Sequence, residues 1–309
     1  MPTAFLAGAE FAIPTRRVQC GFSIGDISVT LNGNSPETLF LNSGLEPFRN
    51  KDRSVDADIE VNVEWTEQIG AWPGESVFDS GAVWQLFRSM GELVFDFSSP
   101  MMGVHAYKRL RVEPSFRRVN LTLSRNALEK HKPVYSLEYP ADELLVTNYL
   151  SHHALGVEVH GCGLIDADTG GHLFLGHSGA GKSTTARLWE SLRKPEILSD
   201  DRIILRLHDG ERWMYGTPWH GEAAFALPRK AKLNRIHILR HGTENRFSAI
   251  PQGRAVGEIL ARSFPPFHSP EGLEHTVEFI KQALDAVPCY EFQFIPDGSS
   301  AAAVLGFHD

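Results

Sequence analysis

The segment 176–183 constrains the fold of this chain more than any other feature. It reads Gly-His-Ser-Gly-Ala-Gly-Lys-Ser and fits the pattern G-x-x-x-x-G-K-[ST] throughout. An apolar run at 172–175 precedes it, and a helical pattern at 184–192 follows it and ends before Pro195. A glycine-rich turn between a strand and a helix directs successive backbone N–H groups at an anion, at the positive end of the helix dipole. The sequence therefore predicts an α/β domain with a phosphate-binding loop.

The residue types in this loop predict binding of a nucleoside triphosphate with Mg²⁺ as its cation. ATP is the expected nucleotide, and the loop itself does not distinguish ATP from GTP. Lys182 provides a point charge for the β- and γ-phosphates, and Ser183 provides a hydroxyl ligand for Mg²⁺. The alternative is a glycine-rich turn that carries a lysine by chance. The apolar strand before the segment and the helix after it favour a phosphate-binding loop over this alternative. The predicted nucleotide-binding residues are Gly176, Ser178, Gly179, Ala180, Gly181, Lys182, Ser183 and Thr184.

Asp200 and Asp201 form a second candidate element. They end a predicted strand at 196–201, and a strand pattern at 202–207 continues after them. The carboxyl ends of parallel strands open on one crevice, so these carboxylates are expected near the loop. One of them would hold Mg²⁺, and the other would accept the proton of the attacking hydroxyl. A solvated turn after a strand is the alternative, because Asp is common there.

Three further segments have both a functional and a structural interpretation. His160 lies in the strand before the loop strand, where it either assists proton transfer or is a satisfied core residue. The segment 216–222 either lines an acceptor pocket or forms a tight turn. The basic segment 229–232 with Arg235 is typical of a solvated face, and contact with phosphate or with an acidic acceptor is the alternative. His152, His153 and Cys162 lack a recognised zinc spacing.

The first 135 residues follow a different pattern. Polar and apolar residues alternate at 58–65, 93–97 and 119–123, which predicts antiparallel strands with one buried face. A helical pattern then starts at Pro140 and runs to His153. We therefore predict two domains, a β-rich antiparallel domain at 1–135 and an α/β domain at 136–309, with an α+β chain overall. Near its end, Leu273, Val277, Ile280 and Leu284 predict an amphipathic helix, and 290–295 a strand.

Composition excludes some classes of protein. The net charge is −8 and no long Lys/Arg run occurs, which disfavours a nucleic-acid partner. The N-terminus has no basic region of a secretory signal, and no apolar run is long enough to span a bilayer. The three cysteines are far apart and odd in number, so no disulfide framework is expected. These features together predict a cytoplasmic protein.

The motifs, taken together, resemble the HPr kinase catalytic domain. His160-Gly161, the Gly170-Gly171 turn, segment 176–183 and the run Ser199-Asp200-Asp201-Arg202 have the order and approximate spacing of that domain. Segment 140–305 is similar to HPr-kinase-related proteins of unassigned substrate, including Pro288-Cys289-Tyr290-Glu291-Phe292 near its end. The resemblance implies the P-loop fold of HPr kinase and PEP carboxykinase. It also implies that Asp200 is the base, that Ser183 and Asp201 lie at the metal, and that His160 and Lys182 take part in catalysis.

The chain departs from HPr kinases in three respects. No Glu-x-Arg-Gly-x-Gly segment follows the Asp pair, Thr184 replaces a common Glu, and the N-terminal part does not look like theirs. The resemblance therefore implies a kinase with a hydroxyl acceptor, which is a peptide or protein serine, a modified natural product or a small hydroxyl compound. The N-terminal domain is expected to present or shield the acceptor. A homo-oligomer is also among the expectations.

Two other functions fit parts of the sequence. A transporter-type or motor ATPase shares the loop, but no Leu-Ser-Gly-Gly-Gln-like signature is visible, and the Asp pair follows the loop too soon. A nucleotide-binding sensor or scaffold without turnover is the second alternative. The intact Lys182, Ser183, Asp200 and Asp201 favour an enzyme over a sensor.

Overall fold

The computed structural model of the chain describes residues 18–34, 39–50 and 56–307. The chain divides into two compact units. The first comprises the described parts of Met1–Gly21, Ser28–Phe40 and Lys51–Ser136. The second comprises Phe22–Ile27, Leu41–Asn50 and the described part of Leu137–Asp309. The sequence patterns did not indicate that two short N-terminal segments group with the second unit.

The strands up to residue 124 form one mixed sheet in the order β1-β2-β3-β8-β7-β6-β5-β4. Their bounds are β1 Val18–Ile24, β2 Ile27–Gly33, β3 Ile59–Thr66, β4 Glu75–Asp79, β5 Trp84–Ser89, β6 Glu92–Phe97, β7 Lys108–Val112 and β8 Arg118–Ser124. Short 3₁₀ helices lie at Glu46–Phe48 and Pro100–Met102, and the short helix α1 spans Arg125–Leu128. The predicted strands at 58–65, 93–97 and 119–123 correspond to β3, β6 and β8.

The prediction of a purely antiparallel N-terminal sheet is wrong. Strand β3 pairs in parallel with both β2 and β8, whereas β4 to β8 pair antiparallel. The alternation in β3 was interpreted correctly, since Ile59, Val61 and Val63 are buried and Glu60 and Glu64 are exposed. Alternation shows that one face is buried, but it does not show in which direction the neighbouring strand runs.

The second unit contains a second large sheet and most of the helices. Its strands are β9 Gly156–Asp166, β10 Gly170–Leu175, β11 Glu196–Ser199, β12 Arg202–His208, β13 Glu211–Gly216, β14 Lys230–Lys232, β15 Arg235–His241, β16 Arg246–Ala249 and β17 Cys289–Phe294. Its helices are α2 Ala141–His152, α3 Lys182–Arg193, α4 Gln252–Leu260, α5 Pro270–Leu284 and α6 Gly298–Leu305. The strand order is β14-β13-β12-β9-β10-β15-β17-β16, and β11 also pairs with β9.

Strand β9 occupies the centre of this sheet and determines where the candidate motifs meet. β10 pairs with one edge of β9, while β11 and β12 pair in succession with the other edge, all antiparallel. Asp200 and Asp201 lie between β11 and β12. The loop strand and the strand before the Asp pair are therefore parallel to each other but separated by β9, which differs from the neighbouring strands expected from the sequence. His160, on β9, lies between the two motifs.

Helix α5 is present, and its buried face overlaps only in part with the expected one, since Ile280 is buried and Leu284 packs against the core. The buried positions include Thr276, Phe279, Ile280 and Ala283, whereas Leu273 is 38% exposed. Phe279, Ile280 and Ala283 belong to a hydrophobic core cluster that also contains Val159, Leu173 and Ile236. Within the described ranges, no helix has both the length and the apolar character needed to cross a bilayer.

Candidate active site

Backbone geometry that favours glycine shapes the loop after β10. Gly179 and Gly181 have φ angles of 78° and 100°, in the left-handed region that glycine adopts most easily. A Cβ on Gly181 would lie 2.4 Å from the ring of Phe294, and one on Gly176 would lie 2.5 Å from the Ala180 Cβ. The close approach at these two positions explains why the pattern requires glycine at both ends of the loop.

Lys182 is the first residue of α3, and its side chain folds back over the loop. Its Nζ donates to the carbonyl oxygens of Gly176 at 2.9 Å and His177 at 3.2 Å. The residue is only 6% exposed. Burial lowers the pKa of Lys182, and the negative charge of Asp201 opposes that shift. The ammonium group is thus held at the mouth of the loop, where a phosphate would approach it.

Asp200 is fully buried and is surrounded by hydrogen-bond donors. Its Oδ2 accepts from Ser183 Oγ at 2.9 Å and from the backbone N–H of Ala223 at 2.9 Å. Its Oδ1 accepts from the N–H groups of Gly221 at 3.0 Å and Phe225 at 3.3 Å. The segment 221–225 therefore folds around this carboxylate, and the hydroxyl of the loop serine lies directly beside it.

Asp201 has a different environment. Its Oδ1 lies 2.8 Å from His160 Nε2, and its Oδ2 pairs with the Arg202 guanidinium. Burial raises the pKa of Asp201, but the His160 hydrogen bond and the charges of Arg202 and Lys182 together outweigh burial and hold that pKa below its ordinary value. Asp201 is therefore an ionised carboxylate in contact with a histidine, which is an arrangement suited to moving a proton.

Arg202 is fixed by several partners. Its Nε lies 3.0 Å from Glu143 Oε1 and 3.3 Å from Glu158 Oε1, and its guanidinium lies 4.1 Å from the centroid of the Phe264 ring. Burial and the nearby charge of Glu143 raise the pKa of Glu158 well above its ordinary value. These contacts position Arg202, and through it Asp201.

A cavity of about 360 Å³ adjoins Asp201. The residues that line it all belong to the second unit and are Asn42, Gly44, Tyr139, Asp142, Asp201, Arg202, Pro218, Trp219 and His220. The segment 216–222, expected either to line a pocket or to form a tight turn, contributes three of these residues. Asp201 lines the cavity, whereas Asp200 is not among the lining residues.

Ser183 and Asp200 fit a magnesium site. Across the described ranges, no group of three or more His, Cys, Asp or Glu side chains could hold a metal ion. Mg²⁺ seldom needs such a cage, because it binds through one or two carboxylates and completes its octahedron with waters and phosphate oxygens. A serine hydroxyl 2.9 Å from a buried carboxylate provides that kind of partial ligand set.

The structure brings several of the predicted residues together. Ser183 contacts Asp200 and His160 contacts Asp201, while the charge of Asp201 acts on Lys182. The basic segment pairs with acidic residues instead: Arg229 with Glu196, Lys230 with Asp26 and Lys232 with Glu211. Sequence reasoning did not identify Glu143 and Glu158 as partners of Arg202, nor Asn42 and Tyr139 as cavity residues. Their only sequence signal was the acidic first turn of α2.

Comparison with known proteins adds little. No family model matches the chain, and no curated protein matches it. Among solved structures, the chain is similar to the HPr(Ser) kinase/phosphatase from Coxiella burnetii, with 14% sequence identity and a TM-score of 0.25. That match covers 48% of this chain and 84% of the other. A TM-score of 0.25 is too low to establish a shared fold or activity.

Proposed function

We propose that the chain is a Mg²⁺–ATP-dependent kinase that transfers the γ-phosphoryl group to a hydroxyl acceptor. The observation that supports this most is the distance of 2.9 Å between Ser183 Oγ and Asp200, with Asp201 beside them on the wall of a cavity. Phosphoryl transfer requires a phosphate-binding loop, a cation held by a hydroxyl and a carboxylate, and a second carboxylate that faces the acceptor. Residues 176–183, Asp200 and Asp201 of the second unit would supply these parts.

The loop and Lys182 would bind and orient the triphosphate. The N–H groups of 176–181 and the N-terminus of α3 favour negative charge. On nucleotide binding, Lys182 would exchange its contacts with the carbonyls of Gly176 and His177 for phosphate oxygens. Mg²⁺ supplies charge neutralisation on the β- and γ-phosphates. Positioning and charge stabilisation would then provide most of the rate.

We propose that the two aspartates divide the work in the opposite way to the sequence-based assignment. That assignment made Asp200 the base and placed Asp201 at the metal. Asp200, however, is fully buried, and both of its carboxylate oxygens accept hydrogen bonds, from Ser183 and from three backbone N–H groups. Asp201 lines the cavity and contacts His160. Asp200 would therefore stay with Ser183 and the cation, and Asp201 would receive the proton.

The proposed transfer of the γ-phosphoryl group forms one bond to phosphorus and breaks another. The acceptor oxygen forms a bond to the γ-phosphorus, the bond from the γ-phosphorus to the β–γ bridging oxygen breaks, and ADP leaves with that oxygen. The acceptor proton passes to Asp201, and His160 at 2.8 Å stabilises or relays it. The Arg202 contacts with Glu143 and Glu158 hold the Asp201 carboxylate in place during this step.

Three variants test these roles. Purified protein, γ-labelled ATP, Mg²⁺ and a lysate of its own cells should give a labelled acceptor. Asp201→Asn should abolish labelling and keep Mg²⁺-dependent nucleotide affinity near the wild-type value. Asp200→Asn should weaken that affinity. Lys182→Met should lower nucleotide affinity by about 10–100-fold, because a hydrogen bond to a charged group contributes roughly 1.5–3 kcal/mol, and Lys281→Met on the exposed face of α5 is the matched control.

The results also distinguish the alternatives. Full Mg²⁺–nucleotide affinity in Asp200→Asn together with lost labelling would restore Asp200 as the base. Labelled free phosphate without a labelled acceptor would indicate an ATPase. Tight nucleotide binding with neither product would indicate the sensor without turnover. We also propose that residues 1–135 take part in acceptor recognition. Variants of that region, assayed for activity on the acceptor identified by labelling, test this role.

A further inference from the structure

We infer that His241 is a positioning residue for the phosphate-binding loop, because it holds the Gly179–Ala180 peptide with the Ala180 N–H facing the inside of the loop. The imidazole Nε2 of His241 lies 3.0 Å from the Gly179 carbonyl oxygen. A carbonyl oxygen only accepts, so His241 Nε2 carries the proton and is the donor in this contact. The inference rests on the proposed function and assigns a residue that prepares the loop for the triphosphate.

The strand register brings His241 to the loop. β10 and β15 are parallel, with Leu175 opposite Ile238, and β10 ends at Leu175, where the loop begins. β15 continues from Ile238 to His241, which is roughly 10 Å of extended chain. The last residue of β15 therefore lies beside the loop that follows β10, and its side chain reaches the carbonyl of Gly179 there.

The neighbouring strand β17 supports the His241 ring. His241 is opposite Phe294 in the parallel register of β15 and β17, and the two rings stack with their centroids 5.7 Å apart. Phe294 is fully buried, and its ring lies 2.4 Å from the position that a Cβ on Gly181 would take. One pair of stacked side chains from adjacent strands thus meets the loop at two points, at Gly179 and at Gly181.

The Gly179–Ala180 peptide needs a contact of this kind because Gly179 itself does not restrict it. Gly179 has a φ of 78°, and no described atom lies within 4 Å of the position that its Cβ would take. Glycine in open space adopts many backbone conformations, so the peptide that follows it could turn over. A hydrogen bond from His241 to the carbonyl oxygen selects one orientation of this peptide.

That orientation directs the Ala180 N–H to the same acceptor as Lys182. In a trans peptide the C=O and N–H point in opposite directions. The Ala180 N–H donates to the His177 carbonyl at 3.0 Å, and Lys182 Nζ donates to the same oxygen at 3.2 Å. A phosphate oxygen that replaced this carbonyl would receive both hydrogen bonds. A turned-over peptide would instead present the Gly179 carbonyl to the phosphate, and two negative groups would repel each other.

Titration calorimetry of the intact chain separates this role from recognition of the base. Two ligands are compared in the presence of Mg²⁺, ATP and inorganic tripolyphosphate, since tripolyphosphate has neither base nor sugar. His241→Phe removes the N–H donor and keeps an aromatic ring against Phe294, whereas His241→Gln keeps a donor and removes the ring. His208→Phe, at the exposed end of β12, is the matched control.

We expect His241→Phe to lower the affinities for ATP and tripolyphosphate by the same factor of about 3–10, as the loss of one neutral hydrogen bond predicts. His241→Gln should restore most of both affinities, and His208→Phe should change neither. Hydrogen exchange of the Ala180 amide in the free protein should become faster in His241→Phe and stay near the wild-type rate in His241→Gln.

Three results would overturn the inference. A loss confined to ATP would show that His241 contacts the base or sugar. Equal losses in His241→Phe and His241→Gln would show that the ring matters and the donor does not. Unchanged affinities in His241→Phe would show that the contact has no effect on phosphate binding.

The outcomes for this inference and for the kinase proposal are distinguishable. The expected affinities without phosphoryl transfer to any acceptor in the lysate would support the role of His241 and contradict the kinase. Phosphoryl transfer together with unchanged affinities in His241→Phe would do the reverse. Wild-type protein that binds neither ATP nor tripolyphosphate would contradict both.

Discussion

At the scale of single residues, Gly181 is the position where the loop tolerates least change. Its φ of 100° and the 2.4 Å that would separate an added Cβ from the Phe294 ring combine strain with overlap. We expect Gly181→Ala to lower the free energy of unfolding by about 2–4 kcal/mol, measured by urea denaturation. Gly179→Ala is the matched control, because Gly179 also has a positive φ but open space where its Cβ would lie. It should lose only about 1–2 kcal/mol. Equal losses would show that Phe294 does not restrict this position.

At the scale of elements, the segment 221–225 should depend on Asp200. The backbone N–H groups of Gly221, Ala223 and Phe225 all donate to that carboxylate. Asp200→Asn replaces a charged acceptor with a weaker one, so hydrogen exchange of these three amides should become faster. Asp201→Asn is the control, since Asp201 makes none of these contacts, and it should leave the exchange rates unchanged. Unaltered protection in Asp200→Asn would show that other contacts hold the segment.

The pairing of β10 with β15 contains two buried histidines with a pH-dependent effect on stability. His172 Nδ1 lies 3.1 Å from His237 Nε2, and both residues are fully buried. Burial, then the charge of Arg235, lowers the pKa of His172 to about 4, and burial, then His172, lowers the pKa of His237. The folded state therefore favours neutral imidazoles. In the unfolded chain the same imidazoles have the ordinary pKa of about 6.5 and take up protons below that pH.

The sign of the effect follows from these shifts. The stabilising contribution is complete above pH 6.5 and is lost as pH falls from about 6.5 towards 4, by up to about 1.4 kcal/mol per pH unit for each group. His237 stacks on Phe174 at a centroid distance of 4.7 Å, so His237→Phe should pack acceptably and reduce the slope. Urea denaturation between pH 4 and 7.5 measures it. A slope equal to that of the wild-type protein would contradict the assignment to His237.

The sequence predicted the local elements of the site better than their arrangement. The loop pattern, the helix after it and the Asp pair each have a local signature, because glycine, lysine and paired carboxylates are needed at fixed spacings. The position of β9 between β10 and β11 has no local signature, since it depends on pairing between strands distant in sequence. The partners of Arg202 were missed for the same reason, because Glu143 lies 59 residues away along the chain.

At the scale of the whole molecule, the second unit is not continuous in sequence. The segment Phe22–Ile27 belongs to this unit and contacts two of its later residues. Arg206 donates to the Gly25 carbonyl at 2.6 Å, and the Tyr215 hydroxyl donates to Asp26 at 2.9 Å. Phe22, Ile24 and Ile27 are at most 1% exposed. The segment Leu41–Asn50 adds the cavity residues Asn42 and Gly44. A cut near residue 136 therefore removes two segments of this unit and two residues of its cavity.

We expect a chain of residues 137–309 to show no cooperative unfolding transition. Each buried Phe or Ile side chain that it lacks contributes roughly 1.5–3 kcal/mol, and the total approaches the net stability of about 5–15 kcal/mol of a whole domain. Calorimetry of this chain, beside a control chain of residues 18–309, measures the difference. A sharp transition at a similar temperature in both would show that the N-terminal segments are dispensable. Loss of activity on such truncation is consequently no evidence for acceptor recognition by residues 1–135.

The discontinuity also affects how the protein is made. The contact between Arg206 and Gly25 spans 181 residues, and that between Lys230 and Asp26 spans 204. At a synthesis rate of about 5–20 residues per second, the segment near Gly25 leaves the ribosome roughly 10–40 s before its partners exist. The contacts of Gly25 and Asp26 with Arg206 and Lys230 cannot form during that interval, and closing so long a loop slows the final step. Yield in cells should therefore depend on chaperones that bind the nascent chain early.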